Sequence, residues 1–112
     1  MPKTDLAHQL YVDQVLLSYR QTPGTTGKVC HADRMLAIQL QQRGIPLQVI
    51  QNAMVLAAAR RILRPPEAPP LTTVRSLAYF VPVIEELLQT HHSQDYFQHL
   101  RQKLQPFYSQ SH

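Results

Sequence analysis

Few residues in this sequence are of the type, and at the spacing, that catalysis or metal binding requires. Imidazole and carboxylate groups are densest near the C-terminus, at His91, His92, Asp95 and His99. Such groups can ligate zinc, but a helix is expected to begin after His92, which interrupts the face that would join His92 to His99. The sequence also lacks the C-x-x-C and H-E-x-x-H pairs of zinc sites. We therefore predict no metal site.

Groups suited to nucleophilic or acid–base catalysis are equally sparse. Cys30 and His31 are neighbours in sequence rather than a pair brought together by folding. Glu85 and Glu86 are the only adjacent carboxylates, and neighbouring residues on a helix point about 100° apart. We therefore predict that the protein is not an enzyme and that it holds no cofactor.

A glycine-rich segment, 22–28, ends with the spacing Gly24-x-x-Gly27-Lys28, which is also found at the end of phosphate-binding loops. A complete loop of that kind has a hydroxyl residue after the lysine and another glycine five residues before Gly27. Val29 and Thr22 occupy those positions here, and the preceding residues have a helical pattern rather than a strand pattern. We predict a connecting loop without a nucleotide site.

The charged residues favour a polyanionic partner. Residues 1–64 hold eight Lys and Arg against three Asp, whereas residues 65–112 hold three against four Asp and Glu. The arginine fork suits phosphate, and Asn and Gln amides can pair with the edge of adenine. The candidate nucleic-acid-binding residues are Lys28, Arg34, Arg43, Gln48, Gln51, Asn52, Arg60, Arg61 and Arg64. The last three cations could instead cap a helix C-terminus, and a net charge of +4 is ordinary for a small protein.

Most of these candidates lie on two predicted helices joined by a tight turn. Apolar residues recur at helical spacing over 32–43 and again over 46–64. Gly44 supplies the left-handed residue that ends a helix, and Pro46 suits the first turn of the next one. This arrangement is the skeleton of a helix-turn-helix DNA reader, and it is also how helices of any bundle are joined. In a DNA reader, Gln48, Gln51 and Asn52 would share one outer face near the start of the second helix.

Another helix is predicted ahead of this pair. It runs from an N-cap at Thr4 to about Gln21, since apolar residues recur there at helical spacing. After the pair, four prolines within 65–70 predict a stiff, extended connector to the next helix, the alternative being a ligand for an SH3-type domain.

Two more helices are predicted after the connector. The fourth is expected to begin at Thr72 or Thr73 and to kink or restart at Pro82. The fifth is expected to be capped by Ser93 and to end at Pro106. The aromatic pair 107–108 that follows is expected to fold back on the bundle, the alternative being a surface for a partner.

The turn at Gly44-Ile45, with Ile50 packing back on it, resembles that of helix-turn-helix domains, although Arg43 stands where that family prefers an apolar residue. A second, wider resemblance to known proteins is carried by two segments, Arg43-Gly44-Ile45-Pro46-Leu47 and Arg75-Ser76-Leu77-Ala78-Tyr79-Phe80. With these segments, roughly residues 30–100 are similar to small helical proteins of bacterial mobile elements and replication initiation, including the C-terminal module of the DnaD-like primosomal family. The resemblance implies DNA transactions in a bacterial or phage setting and implies no catalytic residue.

The sequence as a whole predicts an all-α, single-domain bundle of about five helices over residues 1–112. We expect an accessory or regulatory protein that binds nucleic acid, DNA in preference to RNA. The alternative is a small protein–protein interaction subunit of a larger nucleoprotein assembly. Asp5 stands where a signal peptide would begin its apolar core, and no apolar run reaches the roughly 20 residues of a membrane span. We therefore expect a cytoplasmic protein without a membrane partner.

Overall fold

Five α-helices and one 3₁₀ turn make up the fold in the computed structural model, which describes residues 3–108 and the side chains from Leu6 onward. The elements are α1 (Lys3–Gln21), α2 (His31–Gln42), α3 (Leu47–Ile62), the 3₁₀ turn (Leu77–Phe80), α4 (Val81–Gln89) and α5 (Gln94–Tyr108). No strand forms within residues 3–108, and the only β-bridge there joins Thr25 to Val74. The prediction of an all-α bundle of about five helices is confirmed.

Helix α3 is the centre of the bundle. It packs against α1, α4 and α5, and every residue from Asn52 to Ala59 is buried. One side of α3 contributes Ile50, Met54 and other residues to a core shared with α1, α2 and α4. The opposite side forms a second core with the apolar residues of α5. Because α3 belongs to both cores, the five helices form one bundle.

The turn between α2 and α3 has the geometry that its sequence predicts. Gly44 has a φ of +75°, in the left-handed region. The Gly44 N–H donates to the Gln41 carbonyl at 3.0 Å and the Ile45 N–H donates to the Leu40 carbonyl at 3.3 Å, which are the two bonds of a Schellman motif. Helix α3 begins at Leu47, one residue later than predicted, because Pro46 keeps an extended backbone with ψ 140°.

The start predicted for the fourth helix, at Thr72 or Thr73, is wrong. Val74 is extended there: its N–H donates to the Gly24 carbonyl at 2.8 Å, and its carbonyl accepts the Thr26 N–H at 2.9 Å. The 3₁₀ turn follows, and α4 starts at Val81 with Pro82 in its first turn. A proline in that position breaks no helical hydrogen bond. The chain therefore restarts a helix at Pro82, which was one of the two predicted outcomes, and does not kink.

The ends of α1 and α5 also differ from the prediction. Helix α1 already includes Lys3, one residue before the predicted N-cap at Thr4. The Ser93 hydroxyl accepts the Tyr96 N–H at 3.3 Å and caps α5 as predicted. Pro106, however, lies inside α5 instead of ending it, because the aromatic pair 107–108 packs on the second core and keeps the last turn helical. That packing confirms the prediction that the pair folds back on the bundle. No described helix combines the length and the apolar character that crossing a bilayer requires.

Candidate nucleic-acid interface

The three amides expected to read base edges are engaged within the protein. Asn52 is 8% exposed, accepts the Gln48 amide N–H at 3.0 Å and donates to Gln94 at 3.4 Å. Gln51 is half-buried and donates to the Ser18 hydroxyl at 3.1 Å. The expectation that the three amides share one outer face is therefore wrong for Asn52. The physical reason is that α5 covers this side of α3, so the amides stabilise the packing of helices.

Two of the predicted phosphate-binding arginines form bidentate ion pairs with α4. Arg43 donates to both carboxylate oxygens of Glu85 at 2.9 and 3.1 Å, and Arg60 donates to both oxygens of Glu86 at 2.9 and 2.6 Å. These hydrogen bonds lower the pKa of Glu85 and of Glu86. Both arginines carry compensated charge, which reduces their attraction for phosphate.

A third predicted arginine, Arg34, lies in a weaker pair. Its guanidinium is 3.6 Å from the carboxylate of Asp13, and both side chains are more than half exposed. An exposed pair of this kind is easily broken by salt or by a competing anion.

The remaining predicted cations, Lys28, Arg61 and Arg64, have no carboxylate partner among the described residues. Arg61 donates to the Tyr79 hydroxyl at 3.1 Å and to the Thr72 carbonyl, and its guanidinium carbon lies 5.2 Å from the centre of the Tyr79 ring. Arg64 donates to the carbonyl of a connector residue at 2.9 Å. Neutral acceptors orient these guanidinium groups and leave their positive charge uncompensated.

The fold brings these cations to one end of the bundle. A side-chain carbon on Gly24 would lie 3.5 Å from Arg61 Nε, so the glycine loop runs against the end of α3. The bridge from Thr25 to Val74 ties that loop to the extended segment before the 3₁₀ turn. Arg20, at the end of α1, and Arg75, next to Val74, join the group, and both are exposed.

We refer to this region as the basic end. It is formed by the segments 20–28, 61–64 and 72–76, which hold five cations and no Asp or Glu. Its cations are Arg20, Lys28, Arg61, Arg64 and Arg75. None of them lies within 4.0 Å of a carboxylate in the described part of the chain.

Capping of helix C-termini explains only part of this arrangement. Arg20 and Arg61 lie in the last turns of α1 and α3, where a cation interacts favourably with the helix dipole. Lys28 and Arg75 lie outside the helices, so the dipole does not account for them. A groove of about 500 Å³ runs beside the group, bordered by Arg20 and by residues of the glycine loop.

A buried carboxylate fixes the chain next to the basic end. Asp33 is 2% exposed and accepts the backbone N–H of Cys30 at 3.0 Å and that of Leu77 at 2.9 Å. Burial alone would raise the pKa of Asp33, but these two bonds and a third from the Cys30 thiol outweigh it and lower the pKa. Asp33 thus joins the start of α2 to the 3₁₀ turn that carries Tyr79.

The imidazoles weighed as metal ligands have other surroundings. The His92 ring stacks on Tyr96 at 5.3 Å between ring centres and meets the edge of Phe97 at 5.9 Å. Across the described part of the chain, no three or more His, Cys, Asp or Glu side chains are grouped so that they could hold a metal ion.

Comparison with known proteins adds no further assignment. No family model matches this chain, and no curated protein or solved structure is significantly similar to it.

Sequence reasoning missed Arg20 and Arg75 as members of this group. Arg75 is 47 residues from Lys28 in sequence, and only the pairing of Thr25 with Val74 brings the two segments together. The sequence did contain a local signal: both arginines border segments that are rich in proline and threonine and hold no acid.

Proposed function

We propose that the protein binds nucleic acid through the basic end, as an accessory or regulatory factor without catalytic activity. The observation that carries this proposal is the group of five uncompensated cations, drawn from three segments that contain no acid. Cations gathered in this way neutralise phosphates and release condensed counterions, which is the main source of affinity for a nucleic-acid backbone.

The proposed contact surface differs from the one first expected from the sequence. Lys28, Arg61 and Arg64 remain in it, whereas Arg43 and Arg60 are engaged by glutamates of α4. Arg61 is the best oriented of the three, because Tyr79 and the Thr72 carbonyl hold its guanidinium in place. A fixed guanidinium loses less side-chain entropy when it binds a phosphate.

The broader setting belongs to the same proposal. The proposed setting is the DNA transactions of a bacterium or phage, which is what the sequence resemblance carried by the segments 43–47 and 75–80 implies. The single, exposed cysteine, Cys30, suits a reducing compartment, and we propose the cytoplasm.

The proposal predicts a steep dependence of affinity on salt. Fluorescence anisotropy with labelled DNA and RNA should give a dissociation constant at several salt concentrations. The plot of log affinity against log salt has a negative slope. Each lost phosphate contact makes this slope shallower, by about 0.9 for duplex DNA and by about 0.7 for single strands. The double variant Arg20→Gln with Arg75→Gln should therefore reduce the slope by roughly 1.4 to 1.8.

A matched control removes the same formal charge elsewhere. Arg34→Gln with Arg43→Gln also takes away two arginines, but both are exposed and paired with carboxylates outside the basic end. This control should retain most of the wild-type slope. Equal losses in the two double variants would mean that net charge, and not the basic end, determines binding.

A second candidate function, as a protein–protein interaction subunit, is favoured by the outer face of α1. Leu6, Leu10 and Leu17 are 62%, 56% and 41% exposed, and they lie at helical spacing opposite the buried face of that helix. Leucines placed in this way are typical of a helix that packs on a partner. Failure of the isolated protein to bind any nucleic acid at low salt, together with stoichiometric co-purification with a larger protein, would favour this candidate.

A further inference from the structure

We propose that the basic end takes a single strand of nucleic acid, with an exposed base stacked on Tyr79. This inference depends on the proposed function, since it names the form of nucleic acid that the same surface accepts. Two observations carry it: an exposed aromatic ring among the cations, and the burial of α3, the helix that was predicted to read a duplex groove.

The first observation is the setting of Tyr79. Its neighbours in the 3₁₀ turn, Leu77 and Phe80, are 0% and 1% exposed, whereas Tyr79 itself is 45% exposed. Leu77 is held by its bond to Asp33, and the Phe80 ring meets Tyr19 in the core at 6.0 Å between ring centres. The turn is therefore fixed on both sides of Tyr79, so the exposed ring is held in place by the fold.

The charge around this ring matches the needs of single-strand binding. The Arg61 guanidinium lies over one face of the Tyr79 ring and donates to its hydroxyl, so the proposed base stacks on the opposite face with a cation held beside it. Proteins that bind single strands combine such aromatic surfaces, on which bases stack, with cations that follow the backbone. In a duplex the bases are already stacked on one another, and Tyr79 could not reach a base face without opening the helix.

The second observation is that α3, the helix predicted to read bases, is buried. Helix α3 is buried from Asn52 to Ala59, so it cannot lie in a major groove. Helices α1 and α3 present their C-termini here, so neither offers the N-terminal residues with which a recognition helix contacts base edges. The cations outside the helices, Lys28 and Arg75, lie on the glycine loop and on the extended segment before the 3₁₀ turn, an irregular surface that a flexible strand can follow.

The test compares labelled oligothymidylate and oligouridylate of about 12 nucleotides with a duplex of about 12 base pairs, within the site sizes of small single-strand binders. At equal salt, the wild type should bind one or both single strands more tightly than the duplex. Tyr79→Leu should weaken single-strand binding roughly five- to hundredfold, the range expected for loss of one stacked base, and should change duplex binding much less.

Two further variants separate stacking from a structural role of Tyr79. Tyr79→Phe keeps the ring but removes the bond to Arg61, and it should bind single strands nearly as well as the wild type. Tyr96→Leu changes another exposed tyrosine, 40% exposed on α5, and should leave binding unchanged. If Tyr79→Phe lost as much affinity as Tyr79→Leu, Tyr79 would act by positioning Arg61, and the stacking inference would be overturned.

The remaining outcomes distinguish this inference from the proposed function. Equal affinity for duplex and single strands, with Tyr79→Leu weakening both or neither, would overturn the single-strand inference and leave the proposed function intact. If neither single strand nor the duplex bound at low salt, the proposed function itself would fail.

Discussion

Replacement of Asp33 by alanine should be among the most destabilising single changes in this protein. The Asp33 carboxylate accepts two backbone N–H groups, one from Cys30 at the start of α2 and one from Leu77 in the 3₁₀ turn. Hydrogen bonds to a charged group contribute roughly 1.5–3 kcal/mol each, and both donors would lose their acceptor. We expect Asp33→Ala to lower the free energy of unfolding by about 3–5 kcal/mol.

Asp33→Asn should lose less and should reveal the charge through its pH dependence. An asparagine keeps one oxygen acceptor, so the expected loss at neutral pH is about 1.5–3 kcal/mol. The pKa of Asp33 is lowered in the folded state, so the carboxylate stabilises the fold above its ordinary pKa, and this stabilisation decreases as the pH falls through and below that value. The difference between wild type and Asp33→Asn should therefore shrink as the pH is lowered from 7 to 3.

Urea denaturation followed by circular dichroism measures these differences. The other carboxylates titrate in both proteins, so their effects cancel when wild type and Asp33→Asn are compared at the same pH. Asp13→Asn is the matched control, because Asp13 is an exposed helical aspartate, and it should change stability by less than about 0.5 kcal/mol. A loss below about 1 kcal/mol for Asp33→Ala, or a difference for Asp33→Asn that is constant with pH, would refute the role given to Asp33.

Three further predictions concern stability and can be checked in the same assay. Ile84→Ala should lower the free energy of unfolding by about 2–5 kcal/mol because Ile84 is 0% exposed. Leu88 lies on the same helix and is 42% exposed, so Leu88→Ala should lower it by less than about 1 kcal/mol. Gly44→Ala should cost about 1–2 kcal/mol, purely from its φ of +75°, since an added side-chain carbon meets no atom within 4 Å. Burial raises the pKa of Tyr11 to about 12, so the wild type should lose stability relative to Tyr11→Phe as the pH rises from 10 toward 12.

The parts of the fold that the sequence predicted correctly are those with local causes. The α2–α3 turn followed from Gly44 and Pro46, and the start of α5 followed from Ser93, because each acts on backbone groups a few residues away. The error at the start of the fourth helix had a distant cause. Val74 is held extended by Gly24 and Thr26, which lie 50 and 48 residues earlier, and no periodicity of apolar residues can indicate such a pairing.

The site was harder to predict because its contacts also join residues that are distant in sequence. Arginine content and uneven charge indicated a polyanionic partner, but the sequence could not show which cations are compensated. Glu85 and Glu86 are partly exposed on α4, and they pair with Arg43 and Arg60 from other parts of the chain. The burial of Asn52 likewise depends on how α5 packs against α3.

The most direct test of the central claim is to map the contact surface by nuclear magnetic resonance. A ¹⁵N-labelled protein would be titrated at low salt with a single-stranded oligonucleotide, and the shifts of its assigned backbone amides would be followed. We predict that the largest changes lie in 20–28, 61–64 and 72–79, the segments of the basic end and the start of the 3₁₀ turn that follows. Largest changes near Gln48 and Gln51 or along α5, or no change at saturating oligonucleotide, would contradict it.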